Sequence, residues 1–247
     1  MEFKKFAKIS VTALFLSIIF LFAFFIRNQP KKSENFNGDF SKINNFIFDF
    51  DGTICDSFEA VMNQFNFLSD EFGYKPFSKS EISGMKNLTM QELLTSFGIS
   101  KLKLPFIIKK IRKQLNKEIK TLKPFDGVRK ALLSLKNRNN KLFILTSNSE
   151  ENVKIFLKEN KIEVFDAVFS GSSLFGKAFH INKLLDEYNI DKTTAVYVGD
   201  ETRDIEASKE AGIPIISVAW GYNTKKLLQS FNPEFLIDSP SEITNIK

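Results

Sequence analysis

Asn45-Phe46-Ile47-Phe48-Asp49-Phe50-Asp51-Gly52-Thr53 places two carboxylates two residues apart at the end of an apolar run. A short apolar run bounded by a turn signal reads as a buried β-strand. Side chains alternate between the faces of a strand, so Asp49 and Asp51 share a face only while the backbone stays extended. Gly52 then permits a sharp turn. Taken alone, the pair is either a solvated acidic turn or two oxygen ligands that hold a divalent cation and attack phosphorus.

Three later stretches choose between these readings. Lys141-Leu-Phe-Ile-Leu-Thr-Ser-Asn-Ser149 is a second strand-length apolar run, and it ends in hydroxyl and amide groups. Thr146 at its tip, with the backbone N–H groups that follow, is suited to hydrogen-bond a phosphoryl oxygen, and Ser147 takes that place if the register slips by one. Ser149, followed by Glu150, Glu151 and Asn152, also reads as a helix N-terminus. Lys177 lies between a strand-like Ala167-Val168-Phe169 and a helical pattern from about Phe179 to Tyr188. Finally, Ala195-Val-Tyr-Val-Gly-Asp200 is an apolar strand ending in Gly and Asp, with Asp204 four residues on. Asp200 offers a ligand to a hard cation such as Mg²⁺, and Asp204 holds a water or orients the lysine. The bland alternative is a capped helix with an acidic first turn.

Four strand-end motifs in this order resemble those of the haloacid dehalogenase superfamily of phosphohydrolases, over roughly residues 45 to 240, and most closely its phosphoglycolate phosphatase-like branch. Asp56-Ser57, Pro124-Phe125-Asp126-Gly127-Val128, Ala211-Gly212-Ile213-Pro214 and Trp220-Gly221-Tyr222 add to the resemblance, while Ala178 stands where that branch usually has proline. The resemblance implies that Asp49 attacks phosphorus to form an aspartyl-phosphate, and that Asp51 protonates the leaving oxygen and then activates water. It implies Mg²⁺ held by Asp49, Asp200 and the backbone carbonyl of Asp51, with Lys177 and Thr146 (or Ser147) on the phosphoryl oxygens and Asp204 in support. A dehalogenase is set aside because those relatives do not carry the second Asp of the first motif, and a transport ATPase by size. A sugar phosphomutase on the same core and a non-catalytic membrane-anchored binding protein are the alternatives.

Alternating strand and helix patterns, with strands near 46–50, 142–146, 167–169, 195–198 and 215–218, predict an α/β, doubly wound, Rossmann-like parallel sheet with ligands at the carboxyl ends of its strands. Strand signals vanish between Asp56 and Pro124, where Met62, Phe65, Leu68 and Phe72 recur at helical spacing. The expected organisation is a helical cap over 58–121 inserted into a core of 45–57 and 122–247. Residues 101–120 carry eight Lys or Arg against Glu118, with Ile107, Ile111 and Leu115 on one face. The default reading is a solvated basic face; attraction of anionic substrates or an anionic membrane surface is the sharper one. A single cysteine, Cys55, excludes an intramolecular disulfide, and a single histidine, His180, excludes an imidazole-rich metal site.

Ile9 to Ile26 is an uncharged run of membrane-spanning length, flanked by Lys4, Lys5 and Lys8 and by Arg27, Lys31 and Lys32. Residues 1–27 are read as an uncleaved single-pass membrane anchor of undecided orientation and 28–44 as a polar linker; a cytoplasmic protein is the alternative. This amino-terminal part holds seven Lys or Arg and three acids, 7 − 3 = +4 of the formal +6. The remainder is only mildly basic, so the partners expected are a small phosphorylated metabolite and the membrane, and no nucleic acid.

Overall fold

The runs Phe46-Ile47-Phe48, Leu142–Leu145 and Ala195–Val198 lie side by side with both faces covered, which is why they read as continuous rather than alternating apolar stretches. The computed structural model describes residues 39–170 and 176–246. Its six strands are β1 (Asn45–Phe48), β2 (Lys141–Thr146), β3 (Ala167–Ser170), β4 (Ala195–Gly199), β5 (Ile215–Val218) and β6 (Phe235–Ile237). They form one sheet in the order β3-β2-β1-β4-β5-β6, and every neighbouring pair is parallel. Phe48 is in register with Ile144 on one side and Val198 on the other, so the ends of β1, β2 and β4 lie level.

After β1 come α1 (Phe58–Phe72), α2 (Lys79–Met85), α3 (Met90–Ser96), α4 (Leu104–Glu118) and α5 (Val128–Asn137). The later helices are α6 (Glu150–Glu159), α7 (Lys177–Glu187), α8 (Thr202–Ala211) and α9 (Lys225–Ser230). Phe48, Ile144 and Val198 pack with Leu132 of α5 and Phe156 of α6 on one face of the sheet. Ile47, Phe143 and Tyr197 pack with Ile181 of α7 and Ile205 of α8 on the other. The architecture is the doubly wound three-layer α/β arrangement expected from the strand and helix pattern.

Helices α1 to α4 enclose a third apolar cluster of their own, in which Met62, Phe65 and Leu68 of α1 meet Leu94 of α3 and Ile107, Ile111 and Leu115 of α4. The lysines of the basic stretch point outward, as a solvated face requires, whereas Arg112 is half-buried. Hydrogen bonds seat these helices over the carboxyl ends of the strands. Thr224 N–H donates to the Lys86 carbonyl (2.8 Å), Lys86 Nζ to the Gly221 carbonyl (2.9 Å), and Asn116 Nδ2 to Asn152 Oδ1 on α6 (2.7 Å).

Three details differ from the sequence reading. Strand β1 ends at Phe48, with one further ladder hydrogen bond from Asp49, rather than at residue 50, because the chain closes a tight turn in which the Ile54 and Cys55 N–H groups both donate to the Phe50 carbonyl. Strand β6 was not foreseen: three residues just after Pro233 are too few to show a pattern. Helix α7 starts at Lys177, two residues earlier than its apolar spacing suggested. The apolar run Ile9–Ile26, the anchor read over 1–27 and most of the linker lie outside the described residues. Among the described residues no helix is long and apolar enough to cross a membrane.

Candidate active site

The ends of β1, β2 and β4 and the start of α7 deliver the site. The Asp49 N–H still donates to the Val198 carbonyl (2.8 Å), so Asp49 continues the line of β1 and its side chain stands at the strand tip. Its Oδ1 accepts from Phe50 N–H (2.8 Å) and its Oδ2 from Lys177 Nζ (2.7 Å). Lys177 also donates to Asp204 Oδ1 (2.5 Å), and all three side chains are buried. Gly176, at φ +82°, turns the chain so that the lysine enters in the first turn of α7.

Asp204 Oδ2 accepts the N–H groups of Asp200 (3.1 Å) and Glu201 (3.0 Å), closing the first turn of α8. It is therefore occupied in fixing the β4–α8 turn and the lysine. Asp200 accepts from Thr53 Oγ1 (2.6 Å) and from Tyr222 N–H (2.7 Å). A Cβ at Gly52, where φ is +83°, would lie 2.1 Å from Asp200 Oδ2, and one at Gly221 would lie 2.3 Å from the same atom. Only glycine lets the two loops close this tightly on the carboxylate.

Asp51 stands on the other side of the turn. Its Oδ1 accepts from Ser57 Oγ (2.7 Å), which is also paired with the Tyr222 hydroxyl (3.0 Å), and its Oδ2 accepts from Asn148 Nδ2 (3.2 Å). Thr146 is fully buried at the tip of β2, its Oγ1 accepting from Asn148 N–H (2.9 Å), while Ser147 lines the adjoining cavity with Asp51, Asn148 and Arg203. Ser149 caps α6 as expected, accepting from Asn152 N–H (3.2 Å).

Burial dominates the electrostatics. It raises Asp49 to about 6 against the pull of Lys177, and it raises Asp51 against the hydrogen bonds of Ser57 and Asn148. Burial, joined by Glu201, Asp204 and Asp49, lifts Asp200 well above the usual carboxylate range. For Lys177 burial opposes the charge, but Asp204 and Asp49 prevail and hold the amine above its ordinary value.

One oxygen each from Asp49, Asp200 and Asp204 lies within 4.8 Å of the others. The donors are all carboxylate oxygens, the set preferred by Mg²⁺ or Ca²⁺ rather than by softer metals. Asp49, Asp200, Glu201 and Asp204 are buried against two cations, Lys177 and Arg203, so with all four carboxylates ionised the excess of two negative charges is one that a divalent ion would balance. The residues present fit such an ion, and Asp49 and Asp200 would be the carboxylates that hold it, with Asp204 beside them.

The sequence reading did not single out Arg203, Glu201, Asn148 or Thr53. Arg203 pairs with Glu201 in the turn before and within α8. Both acidic and basic residues were visible in the Gly199–Asp204 motif, yet their pairing across two residues has no periodic signature. Thr53 reaches Asp200 across 147 positions and Asn148 reaches Asp51 across 97, contacts that only the strand order creates.

A family model described as haloacid dehalogenase-like hydrolase matches residues 46–218. A phosphoglycolate phosphatase of Synechococcus elongatus is 30% identical, over 80% of this chain and 93% of that protein. The pyrophosphatase PpaX of Bacillus mycoides is 21% identical, over 83% and 97%. The solved structure of a haloacid dehalogenase-like family protein from Streptococcus pneumoniae superposes with a TM-score of 0.69 at 22% identity, covering 83% of this chain and 98% of that one.

Proposed function

Because this chain belongs to the haloacid dehalogenase-like hydrolase family, we propose that it is a Mg²⁺-dependent phosphatase acting on a small phosphomonoester through an aspartyl-phosphate on Asp49. The convergence of Asp49, Lys177, Asp204 and Asp200 from separate elements carries this reading. Phosphoglycolate is the first substrate to try, since the relative in Synechococcus elongatus bears that name.

Asp49 sits at a strand tip with Lys177 against one oxygen, so the lysine holds the nucleophile in place and stays charged beside the incoming phosphoryl group. An Asp49 oxygen forms a bond to phosphorus as the bond from phosphorus to the ester oxygen breaks. Asp51 gives its proton to that oxygen. As a carboxylate, it then takes a proton from the water that attacks phosphorus, which frees Asp49 and releases inorganic phosphate. Burial lifts Asp51, which favours the protonated form it needs for the first half, while Ser57 and Asn148 hold the carboxylate it becomes for the second. The hydroxyl of Thr146 or Ser147 donates to a nonbridging oxygen. Mg²⁺, held by Asp49, Asp200 and the Asp51 carbonyl, would offset the repulsion between the anionic nucleophile and the anionic phosphoryl group.

In this reading α1 to α4 form a cap (58–121) over a core of 45–57 and 122–247, shielding the phosphoenzyme from bulk water. Residues 1–27 serve as a membrane anchor, and fractionation with protease protection tests that assignment.

Full-length chain assayed with Mg²⁺ on p-nitrophenyl phosphate and phosphoglycolate is expected to release phosphate, and Asp49→Asn to lower the rate on the order of 10⁴-fold or more. Asp51→Asn is expected to accumulate an acid-stable phosphoprotein when given substrate. Turnover unaffected by Asp49→Asn would reject the nucleophile.

A further inference from the structure

Next to Asp51, between α4 and the strand ends, lies a cavity of about 100 Å³. Most of its wall is apolar, including Met62, Met85, Leu88 and Ile108, but Asp51, Glu201 and two arginines, Arg112 and Arg203, also line it. Arg203 gives Nη2 to Glu201 and leaves Nε and Nη1 buried without partners. Arg112, from the middle of α4, has its Nε buried without a partner, and it lines the same cavity as Asp51. A buried donor without an acceptor is rare in a folded protein, and at the wall of a cavity it is a group that an entering acceptor would satisfy.

Arg112 is also held at a defined depth. Its carbonyl accepts from Asn152 Nδ2 (3.1 Å), and the same amide group donates to Asn148 Oδ1 (2.9 Å), which in turn stands beside Asp51. Seating α4 on α6 therefore places Arg112 in the wall of the cavity that is also lined by Asp51, the carboxylate expected to protonate the leaving oxygen. In the mechanism proposed above the leaving group lies on the Asp51 side, so groups lining this cavity would meet it rather than the phosphoryl group over Asp49.

We propose that Arg112, with Arg203 beside it, is the specificity-determining residue for a substrate whose leaving group carries its own anion, a carboxylate or a second phosphate within a few bonds of the scissile oxygen. The inference rests on the hydrolase reading given above. Guanidinium groups pair with carboxylate or phosphate oxygens in a planar, often two-pronged fashion, which fixes both distance and orientation. A sugar phosphate fits poorly on two counts. Most of the wall its hydroxyls would meet is methionine, leucine, isoleucine and other apolar side chains, which offer several hydroxyls at once too few hydrogen-bond partners. The cavity is also smaller than the ~150 Å³ space that admits a benzene, so it suits a leaving group of a few heavy atoms.

The test uses full-length chain, wild type against Arg112→Gln and Arg112→Lys, with three phosphate compounds: phosphoglycolate, pyrophosphate and 2-hydroxyethyl phosphate. Arg112→Gln is expected to raise KM for a charged-leaving-group substrate by ~10- to 100-fold, the loss of one charge-assisted contact, and to leave the neutral compound within about twofold. Arg112→Lys should fall between the two, because it keeps the charge without the fork. Which of phosphoglycolate and pyrophosphate is the more affected identifies the anion. Equal effects on all three compounds, or none on any, overturn the proposal. A melting-temperature shift caused by each compound, compared in wild type and Arg112→Gln, reads binding without turnover. Arg112-dependent binding in the absence of any hydrolysis therefore rejects the phosphatase reading alone. A charged compound that stabilises both proteins equally rejects the Arg112 assignment.

Discussion

Asp49 has a folded pKa of about 6 against an ordinary 3.8, burial being the larger cause and Lys177 opposing it. Between those two values the folded protein binds more protons at this position than the unfolded chain does, so without metal the contribution of Asp49 to stability decreases as pH rises through that window. A divalent ion competes with the same proton. Metal-free protein is therefore expected to gain melting temperature as pH falls from about 7 to about 5, and added Mg²⁺ to stabilise more at the higher pH. Asp49→Asn should weaken both trends, Asp51 and Asp200, which burial also raises, keeping the rest, and calorimetry on the two proteins with and without chelator measures them. The residues behind this behaviour were legible as types, since Asp49, Lys177 and Asp200 each stand next to a glycine or a strand end that announces a turn. Arg112 was not, because in a stretch of eight basic residues nothing local sets apart the one that points inward.

At the scale of elements, the seat of α4 on α6 runs through Asn152, which is fully buried and bonded to Asn116, Asn148 and Arg112. Truncating it strands several polar groups at once. Asn152→Ala is expected to lower stability by about 1–3 kcal/mol, read from denaturant unfolding. It should also slow turnover about tenfold, or ~1.4 kcal/mol of barrier, by releasing Asn148 from beside Asp51. Metal affinity should change by less than turnover, since Asp49 and Asp200 do not touch this joint and Asn148 holds the Asp51 side chain rather than its carbonyl. The helical faces of α1 and α4 were readable from the spacing of Met62, Phe65 and Leu68 and of Ile107, Ile111 and Leu115, all of which are buried. Their seating on the sheet was not, because single asparagines carry no period and their partners are set by the approach of two distant helices.

Across the whole molecule, the sheet is covered on both faces by apolar clusters, while α1 to α4 surround a third that includes none of the strand residues. Elements with a core of their own open as a unit. Amide hydrogen exchange is expected to show α1 to α4 losing protection together and sooner than β1, β2 and β4; uniform protection throughout would contradict this. The class of the fold was legible because parallel strands buried on both faces spell unbroken apolar runs, and the strand order was not written in any of them. That order carries a consequence for synthesis. Strand β1 is completed at Phe48, but one neighbour begins at Lys141 and the other at Ala195, 141 − 48 = 93 and 195 − 48 = 147 positions later. At ordinary translation speeds the innermost ribbon of the protein waits roughly 5 to 20 seconds for its first neighbour and longer for its second. Throughout that interval the nascent chain presents the Phe-rich segment with both edges bare, a target for chaperones on the ribosome.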